Sequence, residues 1–148
     1  NDNYFKSLNA FYQVLLNLKK INKIDKIYIK RHPTWQSKKL DKNFFIKLNE
    51  IKVKYKILNK TKNIIYEKYF GIISEPSTAY IESLLHNKNI KIIGISKNIQ
   101  TTSGAIFELY KKIKEICWDP DIKILKRHLS NKILHKRFSD ITRKYIDL

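Results

Sequence analysis

Two dipeptides in this chain have the chemistry to handle a phosphate: His32-Pro33, and Ser77-Thr78 some 45 positions further on. An imidazole titrating near its usual value of about 6.5 can aim a hydrogen bond at a departing oxyanion and can also give up a proton to it. Paired hydroxyls at the mouth of a helix add donors to the backbone N–H groups left unpaired there, and the helix dipole places roughly half a positive charge at that end. Arg31 and Glu75 flank the two pairs. Each residue also has an ordinary structural role. Ser77 or Thr78 serves equally as a helix cap, and His32 as a satisfied structural histidine whose backbone Pro33 restrains.

The elements that would position these residues alternate along the chain. Phe5, Leu8, Phe11, Tyr12, Leu15, Leu16 and Leu18 recur at helical spacing, which predicts an amphipathic helix ending near Lys20. Lys26 to Arg31 is a short β-rich run stopped by Pro33. Asp41 is placed to cap a second helix burying Phe44, Phe45, Leu48 and Ile51, and from Val53 to Leu58 apolar residues alternate with lysines as a strand. A short helix follows over Thr61 to Lys68, then a strand from Tyr69 to Ser74, a helix from Ser77 to Leu85 and a strand from Ile90 to Ile95. Beyond the polar stretch Ser96 to Ser103, the residues Ile106, Leu109, Tyr110, Ile113, Ile116 and Cys117 share one face of a fifth helix. The tail from Ile122 is helical and basic.

Strands separated by helices predict a parallel sheet with helices on both faces, in an α/β, Rossmann-like doubly wound domain with a helical C-terminal tail. No repeat or Gly/Ser linker divides residues 1–148, so one domain is expected, with the strands near 26–31, 53–58, 69–74 and 90–95 in one sheet. In such sheets ligands bind beyond the carboxyl ends of the strands. That places His32 and Ser77 on the same edge.

A strand ending in Lys-x-His-Pro, followed by a strand leading into a hydroxyl pair at a helix start, resembles the C-terminal domain of GT-B-type bacterial sialyltransferases, in particular the polysialyltransferase and lipooligosaccharide sialyltransferase families. The resemblance covers roughly Ile27 to Ile95. It implies a nucleotide-sugar-binding domain that uses CMP-sialic acid without a metal or other cofactor. His32 would assist departure of CMP, Pro33 would position it, and Ser77 and Thr78 would hold the phosphate oxygens. The partners implied are the sugar donor and a bacterial surface glycan acceptor, in capsule or lipooligosaccharide. The acidic motif that carries the acceptor's base in those enzymes is not matched, since Gly71, Gly94 and Gly104 follow Phe70, Ile93 and Ser103. An N-terminal acceptor domain would carry it. The ribose-binding carboxylate is not matched either, because the corresponding stretch reads Asn59-Lys60-Thr61-Lys62, leaving Glu67 and Glu75 as candidates. The loop Ile73-Ser74-Glu75-Pro76-Ser77-Thr78 is also similar to teichoic-acid-type glycerophosphotransferases, which implies a CDP-glycerol donor as the alternative.

Composition bounds these readings. The chain has 31 Lys+Arg against 13 Asp+Glu, a net charge of +18, yet its arginines are limited to Arg31, Arg127, Arg137 and Arg143. Bidentate recognition of phosphate and guanine favours arginine, and no RNA- or DNA-reading motif appears, so a nucleic-acid-binding module is the weaker alternative. Lysine, isoleucine and asparagine are enriched together, as an AT-rich coding sequence would produce. With 43% hydrophobic residues the chain can build a core, while lysines interrupt every apolar run short of a membrane span.

The single cysteine, Cys117, on an apolar face, reads as core filling in a reducing, cytoplasmic setting with no signal segment. The absence of methionine and the start at Asn1 suggest a fragment. Asp119-Pro120-Asp121 reads as a turn and helix cap in preference to a metal-binding Asp-x-Asp, and His86, His128 and His135 as surface or cap histidines. The basic C-terminal helix, with Lys126, Arg127, Lys132, Lys136, Arg137, Arg143 and Lys144, is suited either to packing on protein or to peripheral attachment at the inner face of the cell membrane.

Overall fold

The computed structural model describes residues 2–30, 38–59, 63–97 and 116–130, with side chains from residue 8 in the first stretch and from residue 41 in the second. The described chain is mixed α/β, as the alternation of patterns predicts, and it forms two compact units, Asn1–Ile64 and Ile65–Leu148.

In the first unit, helix α1 (Asp2–Lys20) leads to strand β1 (Lys26–Ile29), and helix α2 (Lys38–Glu50) leads to strand β2 (Lys54–Ile57). Val14, Leu15 and Leu18 of α1 and Phe44 and Leu48 of α2 are buried, and burial of a leucine such as Leu48 is worth roughly 2 kcal/mol. The helices are also tied by Lys47, whose Nζ donates to Asn9 Oδ1 at 3.1 Å and lies 5.1 Å from the Tyr12 ring centroid.

Both helices end in the same way. Asn22 (φ 54°) and Lys52 (φ 57°) take the left-handed conformation, and the next residue's N–H reaches back to the helix: Lys23 to the Leu18 carbonyl and Val53 to the Leu48 carbonyl. This is the Schellman arrangement, here made without glycine. The second instance also buries Val53. Asp41 lies inside the first turn of α2, not at its cap, because the helix already begins at Lys38. Its carboxylate there favours the positive end of the dipole.

β1 and β2 pair in parallel, with Lys26 opposite Lys54 and Tyr28 opposite Lys56. Phe45 of α2 stacks on Tyr55 of β2, centroids 5.0 Å apart, whereas Lys26, Tyr28, Lys54 and Lys56 are all exposed. The expectation of helices over both faces is therefore not met for this pair. The physical reason is that lysine at alternate strand positions puts every charge on one side of the pleat, and that side must stay solvated.

In the second unit, a single 3-10 turn (Tyr66–Lys68) precedes β3 (Gly71–Ser74), α3 (Ala79–His86), β4 (Lys91–Gly94) and α4 (Ile122–Ser130). The helix expected over Thr61 to Lys68 is thus reduced to its last three residues within the described stretch. The Asn87 side chain donates to the Tyr66 and Tyr69 carbonyls at 3.0 and 2.9 Å, which takes acceptors that a longer helix would use internally.

β3 and β4 are parallel and in register from Gly71 opposite Lys91 to Ser74 opposite Gly94. On the other edge of β4, Cys117 makes a parallel bridge with Ile93: the Gly94 N–H donates to the Cys117 carbonyl, and the Cys117 N–H to the Ile92 carbonyl. β4 is therefore an interior strand, and Ile92 and Ile93 are buried accordingly. Cys117 fills the core as expected, and burial pushes its thiol pKa up, but the bridge corrects its assignment to the end of a fifth helix. The remainder of that helix, and the tail beyond Ser130, lie outside the described residues.

The strands thus pair as β1–β2 and β3–β4, not as the single four-stranded sheet expected. Each pair is closed by a connection carrying one helix, and short loops cost the least entropy to close.

Candidate functional site

The loop between β3 and α3 is built from its own hydroxyls. Ser74, the last residue of β3, donates from Oγ to the Glu75 carbonyl at 2.7 Å and lies 3.4 Å from Ser77 Oγ. Ser77 Oγ accepts from the Ala79 N–H at 3.2 Å, and its carbonyl accepts from the Tyr80 N–H at 3.3 Å. Ser77 therefore caps α3. Pro76, fully buried, sets the turn between the two serines, and Glu75 is half-buried.

Thr78 differs from its neighbour. It already has helical backbone angles (φ −62°, ψ −15°), is exposed, and makes no side-chain capping bond. Its hydroxyl sits on the first turn of α3, beside N–H groups that carry the positive end of the dipole. Among the expected site residues, this is the hydroxyl available to a ligand.

Tyr80, which sequence reasoning passed over, braces the loop from beneath. Its ring is fully buried and its hydroxyl donates to the Ser74 carbonyl at 2.6 Å, an acceptor shared with the Ile95 N–H at 3.0 Å. The strand end, the first turn of α3 and the exit of β4 are thereby joined at one carbonyl. A serine closing an apolar strand, with a tyrosine six residues on, is the signal that could have found this brace.

Trp118 was also missed. Its ring meets the Tyr80 ring edge-on at 6.1 Å and lies against Gly94, where an added Cβ would fall 2.5 Å from ring carbons. Lys97, on the segment leaving β4, places its Nζ 5.8 Å from the Trp118 ring centroid. Trp118 Nε1 is buried without a hydrogen-bond partner, the one such side-chain atom found among the described residues.

Arg31, His32 and Pro33, the other half of the expected site, lie outside the described residues, so the structure brings together Glu75, Ser77 and Thr78 and no more of that set. Glu67, a candidate for the ribose, lies 3.6 Å from His86 Nδ1 in an exposed pair, and His86 stacks on Tyr66. His128 is not the surface histidine expected: it is half-buried, with Nε2 2.9 Å from the Ile92 carbonyl, and burial lowers its pKa. Asp119-Pro120-Asp121 is a turn and cap. Asp119 Oδ1 accepts from the Asp121 N–H, and Asp121 Oδ2 accepts from the N–H groups of Lys123 and Ile124 at the start of α4. No cluster of three metal-binding side chains occurs among the described residues, and no described helix is long and apolar enough to cross a membrane.

No protein-family model matches this chain, and neither a curated protein nor a solved structure matches it.

Proposed function

We propose that this chain is the donor-binding domain of a bacterial glycosyltransferase, transferring sialic acid from CMP-sialic acid to a surface glycan. The observation that carries the reading is the arrangement at the carboxyl end of β3. A strand there delivers a braced hydroxyl loop straight into a helix N-terminus, and Thr78 keeps its hydroxyl uncommitted. Parallel strands with such a terminus at their carboxyl ends are the usual setting for nucleotide phosphates. In this reading the finer architecture is Rossmann-like. Burial on both faces is reached at β4, while β1–β2 keeps one open face.

The chemistry follows from the charge that develops. Breaking the bond between the sugar and the nucleotide phosphate leaves the electron pair on the phosphate oxygen, so donors must be aimed there as the bond lengthens. His32, on the segment after β1, is assigned that oxygen, with Arg31 adding positive charge and Pro33 restraining the backbone. Thr78 and the α3 terminus hold the phosphate, and Ser77 holds the terminus in shape. A base from an acceptor domain takes the acceptor's proton.

Calorimetric titration with CMP, CDP, UMP and UDP tests the donor class. CMP is expected to bind best, and preference for CDP would favour the glycerol-phosphate alternative. Thr78→Ala should weaken CMP binding at unchanged thermal stability, whereas Ser77→Ala should also cost about 1 kcal/mol of stability through the lost cap. In steady-state kinetics His32→Ala should lower kcat on the order of a hundredfold, with much less effect on the donor KM. Unchanged CMP affinity in both hydroxyl variants, or kcat within about twofold for His32→Ala, a barrier change of only ~0.4 kcal/mol, would refute these assignments.

A further inference from the structure

The exposed face of β1–β2 has no role in the reading above. Lys26 and Tyr28 on β1 lie directly opposite Lys54 and Lys56 on β2, and all four are exposed, Tyr28 by 43%. Paired strands stand roughly 4.8 Å apart and alternate residues roughly 7 Å apart, so the three lysines spring from neighbouring positions on one face. Like charges placed directly opposite each other destabilise a sheet. Lys26 Nζ leans over the Tyr28 ring, 5.2 Å from its centroid, and Asp25 is the one carboxylate immediately flanking either strand in sequence. Parallel strands are ordinarily covered on both faces. Here the side where the lysines stand is exposed.

We propose that this lysine-lined face docks on the anionic phospholipid headgroups of a membrane surface. Three features select that occupant. The face presents three lysines and no carboxylate among its four residues, a charge complementary to that of an anionic leaflet. Its cations are lysines, compact hydrated charges suited to a diffuse anionic surface and not to bidentate reading. The ring face of Tyr28 is already occupied by Lys26 Nζ, 5.2 Å from its centroid, where a nucleobase would have to stack, while a tyrosine beside lysines is a normal interfacial residue. The assignment is independent of the glycosyltransferase reading. It also moves the membrane contact from the basic C-terminal helix to a sheet.

The test is partition of the whole chain onto phosphatidylcholine vesicles with and without phosphatidylglycerol at low and high salt. The triple variant Lys26→Gln, Lys54→Gln, Lys56→Gln is compared with a control of equal net charge, Lys42→Gln, Lys88→Gln, Lys123→Gln, whose lysines are exposed elsewhere. Circular dichroism confirms that both variants are folded. The parent should bind only the anionic vesicles, with the face variant weakened on the order of a hundredfold and the control less than about threefold. Equal weakening of both variants, equal binding to neutral vesicles, or no vesicle binding by the parent overturns the proposal. Loss of single-stranded oligonucleotide binding in the face variant, with vesicle binding intact, overturns it in favour of nucleic acid.

Discussion

β1–α2–β2 and β3–α3–β4 are the same device used twice, two four-residue parallel strands joined through a helix, yet one pair is half open to water and the other is more nearly closed, with β4 buried and β3 largely half-buried. The difference lies in the strands' own residues. Lys-Ile-Tyr-Ile and Lys-Tyr-Lys-Ile alternate, so one face is charged and must remain wet, whereas Gly-Ile-Ile-Ser and Lys-Ile-Ile-Gly carry paired isoleucines, half-buried in β3 and buried on both sides in β4. β4 completes its cover by taking Cys117 on its free edge and α4 through His128. Hydroxyls then collect at the carboxyl end of the closed pair, and lysines spread over the face of the open one. Parallel pairing by itself therefore says little about burial.

The strongest way to break the comparison is to spoil the closed pair. Gly94→Ala would drive a Cβ into the Trp118 ring and should destabilise the second unit by about 1–3 kcal/mol in denaturant unfolding. A loss below about 0.5 kcal/mol would mean that Trp118 is not seated on β4.

A pH titration sharpens the same point. Burial is the main cause lowering the pKa of His128, helped by the charge of Lys91 and opposed by its bond to the Ile92 carbonyl. The unfolded chain thus takes up the proton first, at the ordinary value of 6.5. Stability contributed by neutral His128 is present above that pH, falls as pH drops through it, and levels off below the folded-state value. Urea unfolding across this range should show the decline in the parent and a smaller one in His128→Gln. An identical decline in both would assign it to other groups.

The smallest effect belongs to the open pair. Lys54→Glu turns the directly opposed Lys26 and Lys54 into an opposite-charge pair and should raise stability by about 0.5 kcal/mol at low salt, with the gain fading as salt is added. A loss of stability there would show that the lysine is wanted by the fold itself.

The sequence by itself determined the alternation of helices and strands and part of what the first two helices bury, Leu15, Leu18, Phe44 and Leu48, because periods of 3.6 and 2 are local properties that need no partner to be read. Val14, by contrast, is buried outside the expected stripe, and Phe45 and Ile51 are only half-buried. It also determined the cap at Asp121, the turn that precedes it, and the interior place of Cys117. Even the open face of β1–β2 was written in the lysine alternation, although expecting a doubly wound sheet hid it. Strand pairing was left to the tertiary structure, since four short apolar runs can be matched in several ways and only long-range hydrogen bonds choose among them. The left-handed turns at Asn22 and Lys52 had no glycine to announce them. The division of labour between Ser77 and Thr78 was equally hidden: adjacent hydroxyls look alike in a string of letters, and which one turns inward to the Ala79 N–H depends on where Pro76 and Tyr80 set the start of the helix.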